Sequence, residues 1–256
     1  MKRYQQLLDM GVFTFNDVKK TVGNKNTANS LMNEYLKKNY IARVKRNLYV
    51  ALDLKSQQPV VNRFEIGSYI TENSYICLHT AFEYHGTYNQ VYYDVYVSSK
   101  RKFTEFEFNG YKYRCIKSKF DEGVIVPNHN ENIRTTNLER TVLDAIDVLN
   151  KHISLEELFE CLELITFLRE EKLKKYLSIY NKNILYQKTG LILECFKDDL
   201  KLKENFFQYC QKNIGKSKRY LYDKQKEAPQ IYNKKWQLVI PERTPKIAEN
   251  KGDSIG

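Results

Sequence analysis

Residues 14–50 decide how the start of the chain folds, and their sequence is TFNDVKKTVGNKNTANSLMNEYLKKNYIARVKRNLYV. Thr14 and Asp17 have the spacing of a capping box, in which the hydroxyl and the carboxylate each accept a backbone N–H. The Gly23-Asn24 pair then predicts a tight turn, and Asn26 is a suitable N-cap for the next helix. We therefore expect two short helices in close succession.

The second of these helices has an apolar and a polar side, and we expect it to continue to about Lys38. Its apolar side follows the i, i+3, i+4 spacing of a buried helical face: Ala28, Leu31, Met32, Tyr35, Leu36. Its polar side carries amides, hydroxyls and an amine: Thr27, Asn29, Ser30, Asn33, Lys37. Asparagine can bond the edge of an adenine, and hydroxyl or ammonium groups can contact bases or phosphates. The pair of helices predicts a helix-turn-helix motif.

A hairpin is predicted directly after this motif. Residues 40–44 and 48–50 alternate apolar and polar side chains around Lys45-Arg46-Asn47, where asparagine tolerates the positive φ of a turn. Such a hairpin occupies the position of a wing, whose cations reach phosphates or a minor groove. The predicted DNA-contacting residues are Lys25, Asn26, Thr27, Asn29, Ser30, Asn33, Lys37, Arg43, Lys45 and Arg46. The alternative is a solvated basic surface on an ordinary helical subdomain.

The distribution of charge supports an anionic partner for this segment. The 256 residues have a net charge of +11, and residues 1–56 contain 11 cations against four acids. A basic excess beside a helix-turn-helix attracts phosphates. Double-stranded DNA is therefore the predicted partner of the N-terminal segment.

We predict an α+β protein with an N-terminal winged helix-turn-helix domain at residues 1–56. Residues 53–62 (DLKSQQPVVN) are polar, contain a proline and predict a linker. A mixed domain follows at residues 57–240, with a small β-sheet and a helical C-terminal half. Residues 241–256 contain two prolines and two glycines and predict a disordered tail. We expect residues 1–56 to fold on their own.

The elements of the second domain are predicted from periodicity and turn signals. Strands are expected at residues 91–97, 103–108, 111–116, 123–126, 133–135 and 236–240. Asn109-Gly110 predicts a hairpin turn. Residues 74–86 predict a strand end followed by a helix, capping boxes are expected to start helices at Thr136 and Ser154, and further helices are expected at residues 169–180 and 188–200.

Motifs for catalysis, metals and cofactors are absent from the sequence. The four histidines lack zinc-site spacing, the five cysteines are odd in number with no C-x-x-C pair, and no glycine-rich phosphate loop is present. No apolar run reaches the roughly 18 residues of a membrane span, and no secretory signal is visible. We expect a cytoplasmic protein that is not an enzyme, with no catalytic residue, cofactor, metal or membrane partner. Arg140 and Asp144 are spaced as an exposed helix-surface ion pair.

Three segments stand in order behind the predicted wing, RVKRNLYV at residues 43–50. They are YICLHTAFEYHG at residues 75–86, TNLERTVLDA at 136–145 and QKTGLILE at 187–194. Together with the wing they resemble the AbiEi family of antitoxins, from type IV toxin–antitoxin and abortive-infection systems. The family usually has Gly where this chain has Asn47, and both residues accept the turn.

The resemblance implies an autorepressor that binds operator repeats in its own promoter and takes part in phage defence. It also implies that the second domain counters a nucleotidyltransferase toxin without a stable complex. From the matching segments, the candidate antitoxin residues are Tyr84, His85, Glu139, Arg140 and Asp144. Two other functions remain open: an orphan winged-helix regulator whose second domain binds a ligand or protein, and a nucleic-acid-processing enzyme with a DNA-binding module.

Overall fold

The structure, a computed structural model, describes residues 2–88, 90, 92–222 and 229–242. The fold is mixed α and β, as predicted. It divides into two compact units, the first formed by residues 1–80 and 91–136 and the second by residues 81–90 and 137–256. This division does not coincide with the predicted boundary at residue 56.

The elements up to residue 136 are α1 (Lys2–Met10), β1 (Val12–Phe13), α2 (Phe15–Val22), α3 (Lys25–Lys37), β2 (Ile41–Lys45), β3 (Leu48–Ala51), α4 (Arg63–Tyr69), β4 (Tyr75–Ile76), α5 (Leu78–Tyr84), β5 (Asp94–Ser99), β6 (Phe106–Phe108), β7 (Tyr111–Lys117), β8 (Val124–Ile125) and β9 (Thr135–Thr136). Strands β1, β3 and β2 form one sheet in that order. Strands β6-β7-β5-β4-β9-β8 form a second sheet, which is mixed because β5 pairs parallel with β7 and β4 with β9.

The local signals at the start of the chain act largely as predicted. The Asp17 carboxylate accepts the Thr14 N–H at 2.8 Å, and the Thr14 hydroxyl accepts the Asp17 N–H at 3.3 Å, which completes the capping box of α2. The predicted cap of α3 is corrected. Asn24 fills this position, with its carbonyl oxygen accepting the N–H groups of Asn26 and Thr27, because Asn24 is the residue with extended backbone at this turn.

Turn chemistry also determines the two hairpins. Asn47 has φ 60° between β2 and β3, and Asn109 and Gly110 have φ 48° and 78° between β6 and β7. Positive φ is rare for residues other than glycine and asparagine, so both turns are specified by local sequence. The predicted hairpins are confirmed.

The strands of the β2–β3 hairpin share a core with the six-stranded sheet of the first unit. This cluster includes Val44, Leu48 and Val50 of the hairpin with Val95 and Val97 of β5. Each side chain is less than a tenth exposed. A separate apolar cluster joins the helices α1–α3 to Phe13, Ile41 and Ala51 of the three-stranded sheet. The hairpin is therefore built into a larger unit.

Residues 53–62 form a closed turn in place of the predicted open linker. The Asp53 N–H donates to the carbonyl of Gln58 at 2.8 Å, and the Asp53 carboxylate accepts the N–H of Ser56 at 2.7 Å. Leu52 and Pro59 form an isolated antiparallel bridge across this turn. The polar residues that suggested a linker are used to close the turn.

The second unit is mainly helical. Its elements after residue 136 are α6 (Leu138–Asp147), α7 (Leu155–Glu163), α8 (Glu170–Tyr180), α9 (Asn183–Glu194), α10 (Glu204–Lys212), β10 (Arg219–Tyr220), β11 (Gln230–Asn233) and β12 (Leu238–Pro241). The last three strands form a sheet in the order β10-β12-β11.

Several boundaries in this part differ from the predictions. The capping box at Ser154 is confirmed, whereas α6 is capped by Asn137 and not by Thr136. Helix α9 ends at Glu194, before the predicted end at residue 200. Helices α4 and α10 and the strands β10 and β11 were not predicted, although Asn62 and Glu65 form a capping box at the start of α4. Of the predicted tail, residues 243–256 lie outside the described residues.

Across the part of the chain that the structure describes, no helix is long and apolar enough to cross a membrane.

The shared core predicts that residues 1–56 do not fold in isolation, contrary to the expectation from sequence. Burying one large aliphatic side chain contributes about 1.5–3 kcal/mol, and several such residues would be exposed in the fragment. We expect circular dichroism of residues 1–56 to show no cooperative thermal transition. In the full chain, Leu48→Ala should cost about 2–5 kcal/mol. Leu54→Ala, at a side chain that is 39% exposed, is the matched control and should change little. A cooperative transition in the fragment would contradict this assignment.

Candidate functional site

The polar side of α3 lies on the surface. Lys25, Asn26, Asn29, Ser30, Asn33 and Lys37 are exposed, and Thr27 is half-buried. The opposite side of the helix is buried through Ala28, Leu31, Met32 and Tyr35. The structure thus brings the predicted base-reading side chains together on one exposed helical surface.

The predicted wing supplies exposed cations beside its turn. Arg43 and Arg46 are exposed on the β2–β3 hairpin. The side-chain oxygen of Asn47 accepts the N–H of Phe15 at 3.2 Å, which joins the turn to the start of α2. Asn47 therefore does more than adopt the positive φ that glycine would supply, because it also fixes the hairpin to the helix.

Lys45 differs from the other predicted contacts. Its Nζ lies 5.5 Å from the ring centroid of Phe103 and 6.0 Å from that of Phe106. Partial burial lowers the pKa of the Lys45 ammonium. An ammonium over aromatic rings stabilises packing, so the structure favours a packing role for this lysine. Sequence alone did not indicate this, because Phe103 and Phe106 are 58 and 61 residues away from Lys45 along the chain.

A polar cleft of about 850 Å³ lies in the first unit beside the hairpin turn. Its lining includes both cations and carboxylates: Lys20, Arg46, Arg134, Asp17, Glu72, Glu131. The Arg134 guanidinium donates to the carbonyl of Ser68 at 2.7 Å, and burial lowers its pKa. The cleft has room for a small polar molecule in contact with the predicted wing.

The prediction that Arg140 and Asp144 form an exposed pair is wrong. Arg140 is 1% exposed and Asp144 8% exposed, with Arg140 Nε donating to the Asp144 carboxylate at 2.8 Å. The Tyr180 hydroxyl also donates to this carboxylate, and the Arg140 guanidinium lies 5.6 Å from the Tyr180 ring centroid. Burial, together with the Asp144 charge, raises the pKa of Tyr180. The pair is buried because α8 covers this side of α6, which periodicity within α6 cannot show.

Other polar residues of the same segment also connect α6 with the region of α8. The Asn137 amide nitrogen donates to the Tyr176 hydroxyl at 2.9 Å. The buried Glu139 carboxylate accepts the N–H of Arg169 at 3.2 Å and lies 3.7 Å from Lys172 Nζ. These contacts explain the polar residues of TNLERTVLDA by packing between helices.

Tyr84 and His85 lie at the end of α5 and just after it. Both are half-buried, and their ring centroids are 5.6 Å apart in an edge-to-face arrangement. The His85 N–H donates to the carbonyl of Ala81 at 3.0 Å. The structure thus places Glu139, Arg140 and Asp144 between α6 and the region of α8, and places Tyr84 and His85 at the C-terminal end of α5.

The segment QKTGLILE has a structural role that the sequence did not reveal. A Cβ atom at Gly190 would lie 2.0 Å from the Trp236 ring, so only glycine allows this close approach. Trp236 Nε1 donates to the Glu194 carboxylate at 2.8 Å, and Gln187 Nε2 donates to the carbonyl of Gln237 at 3.3 Å. One side of α9 therefore holds the turn between β11 and β12.

Metal-ligating side chains are dispersed over the described residues. No group of three or more His, Cys, Asp or Glu side chains lies close enough together there to hold a metal ion.

Comparison with known proteins finds similarity in fold but none in sequence. No family model and no curated protein sequence matches the chain. The crystal structure of the RV2827C protein from Mycobacterium tuberculosis is similar, with a TM-score of 0.62 at 10% sequence identity. The match covers 93% of this chain and 89% of that chain. At this identity the likeness shows the fold alone.

The burial of Arg140 predicts a large effect on stability. Arg140→Ala leaves the Asp144 carboxylate buried without its cation, and we expect a loss of about 3–5 kcal/mol in the free energy of unfolding. Chemical denaturation of the full chain measures this loss. Lys38→Ala is the matched control, because Lys38 and Glu34 form an i, i+4 pair with side chains 53% and 51% exposed. Similar unfolding midpoints for both variants would show that burial does not decide the role of Arg140.

Proposed function

We propose that the chain is a DNA-binding transcriptional autorepressor and the antitoxin of a type IV toxin–antitoxin system. The observation that carries the DNA-binding half is the exposed amide-rich side of α3, followed along the chain by the exposed Arg43 and Arg46 of the hairpin. The order of α1, β1, α2, α3, β2 and β3 supports the proposal of a winged helix in which α3 acts as the recognition helix. The concentration of positive charge in residues 1–56 supports the same assignment.

Two kinds of contact are expected on this surface. Asn29 and Asn33 have the chemistry to read base edges, whereas Arg43 and Arg46 have the charge to bind phosphates. Lys45 is assigned to packing against Phe103 and is left out of the DNA contacts. This division predicts different effects on sequence preference and on salt dependence.

Asn29→Ala or Asn33→Ala should reduce the preference for the operator over random duplex by ~1–3 kcal/mol. Arg43→Ala and Arg46→Ala should weaken binding to all duplexes alike, and each should flatten the salt dependence by about one unit for every phosphate that the arginine would bind. Titration of labelled duplexes from the upstream region, at several salt concentrations, measures both effects.

Lys175→Ala is the matched control for the removal of charge. Lys175 is an exposed lysine of α8 in the second unit, so its removal lowers the net charge equally without changing the proposed interface. The DNA-binding proposal fails if Lys175→Ala and Arg46→Ala weaken binding to the same extent.

The antitoxin half of the proposal is supported by the resemblance to the AbiEi family. The buried contacts of α6 and α9 indicate that the family-like segments at residues 136–145 and 187–194 help to build the second unit, so side chains on its surface are the better candidates for action on the toxin. The partner toxin would be a nucleotidyltransferase, countered without a stable complex.

Co-expression with a nucleotidyltransferase encoded by an adjacent gene tests the antitoxin half. We expect Arg43→Ala with Arg46→Ala to abolish repression and to retain rescue of growth, since both residues lie outside the second unit. We also expect the toxin to be absent from affinity-purified chain. Tight copurification, or failure of the unaltered chain to restore growth, would contradict the assignment.

A second candidate function is favoured by the cleft beside the hairpin turn. A small polar ligand in this cleft would contact Arg46 and the start of α2, and would thereby couple ligand binding to DNA affinity. This corresponds to a ligand-responsive winged-helix regulator. Its distinguishing result is a change of operator affinity caused by a small molecule in the absence of any toxin gene.

A further inference from the structure

The small sheet of the second unit carries two tyrosines side by side. Tyr220 of β10 and Tyr232 of β11 each pair directly with Val239 of the central strand β12. Residues that are directly opposite in a sheet project from the same face, and neighbouring strands lie about 4.8 Å apart. The two rings therefore occupy one face of the sheet, about two strand spacings apart.

Both tyrosines are exposed although the central strand β12 between them is buried. Tyr220 is 44% exposed and Tyr232 42% exposed, whereas Val239 between them is only 6% exposed. Leu238 and Ile240, which alternate with Val239 along β12, are buried in the core. Each tyrosine thus keeps about two fifths of its surface open to solvent beside the buried Val239, and the pair forms an aromatic platform.

Trp236 anchors the β10-β12-β11 sheet to α9. This side chain is fully buried against Gly190 and donates to the Glu194 carboxylate. A platform on anchored strands presents its rings in a defined position, which lowers the entropic cost of binding a ligand.

Positive charge surrounds the platform. Residues 213–222 and 229–242 contain five cations and one acid, Glu242. Lys218 Nζ lies 5.2 Å from the ring centroid of Tyr232, whereas Arg219 pairs with Leu238 and so projects from the opposite face of the sheet. Lys235 pairs with Glu194, whereas Lys216 and Lys234 are exposed. Exposed aromatic rings among cations match the bases and phosphates of a single strand.

We propose that this surface, formed by Tyr220, Tyr232 and Lys218, binds single-stranded nucleic acid. Bases stack on the two rings, and the cations bind the phosphates that connect them. A duplex is a poorer ligand because its bases are already stacked and paired. The site lies in the second unit and does not depend on DNA binding by α3.

The test uses the full chain and fluorescence anisotropy with labelled 12-residue oligonucleotides of deoxythymidine and of uridine. We expect Tyr220→Ala with Tyr232→Ala to weaken binding by about ten-fold or more. The pair Tyr220→Phe and Tyr232→Phe keeps both rings and should retain affinity to within about two-fold, since stacking does not need the hydroxyl. Tyr93→Ala, at an exposed tyrosine of the first unit, is the matched control and should leave affinity unchanged. Thermal unfolding of each variant confirms that the fold is intact.

Additional binding measurements distinguish this proposal from the proposed repressor function. Arg43→Ala with Arg46→Ala should reduce binding of the operator duplex and leave binding of the oligonucleotides unchanged. Equal affinity for both oligonucleotides supports base stacking without sugar selection, and preference for uridine supports RNA as the ligand. The proposal is overturned if neither oligonucleotide binds, if the alanine pair binds as tightly as the unaltered chain, or if the phenylalanine pair loses as much affinity as the alanine pair.

Discussion

Packing of the β2–β3 hairpin into the core of the six-stranded sheet is the constraint on which the first unit depends. Val44, Leu48 and Val50 are buried with residues of α4 and β5, so the predicted wing is one edge of a larger hydrophobic core. Its turn is further held by Asn47, which accepts the N–H of Phe15. A hairpin fixed in this way presents Arg43 and Arg46 in a defined place, which favours specific contact over loose electrostatic attraction.

The segments that resemble the AbiEi family are explained in this structure mainly by packing. Arg140 and Asp144 form a buried pair under Tyr180, and Gly190 admits the ring of Trp236. Breaking a buried ion pair costs several times more than breaking an exposed one. A substitution at such a residue destabilises the fold whatever the protein does, so these residues are poor indicators of a functional surface.

The surfaces that remain available for partners are distributed over both units. Each carries exposed cations and groups with the chemistry proposed to bind nucleic acid: amides on α3 and tyrosines on the β10-β12-β11 sheet. The chemistry of the two surfaces differs, because amides suit base edges in a groove and aromatic rings suit unpaired bases. This difference allows each surface to be changed and measured separately.

Most signals carried by near neighbours in the sequence acted as predicted, although the helix caps expected at Asn26 and Thr136 are Asn24 and Asn137. The capping boxes at Thr14 and Ser154, the positive-φ turns at Asn47 and Asn109, and the polar side of α3 are all present as predicted. Each depends on atoms within a few residues of one another, so the sequence alone contains the cause. The sequence likewise determined which side of α3 meets solvent, since a spacing of about 3.6 residues per turn separates its two sides.

Tertiary structure decided the features that depend on residues distant in the chain. Lys45 lies over Phe103 and Phe106, and Arg140 is covered by α8, although each is spaced like a surface residue within its own element. The pairing of Tyr220 and Tyr232 with Val239 also appears only when β10, β11 and β12 assemble. Local periodicity specifies which side of an element is apolar but not what will cover its polar side. Burial of a charge or exposure of a ring is therefore settled by packing between elements.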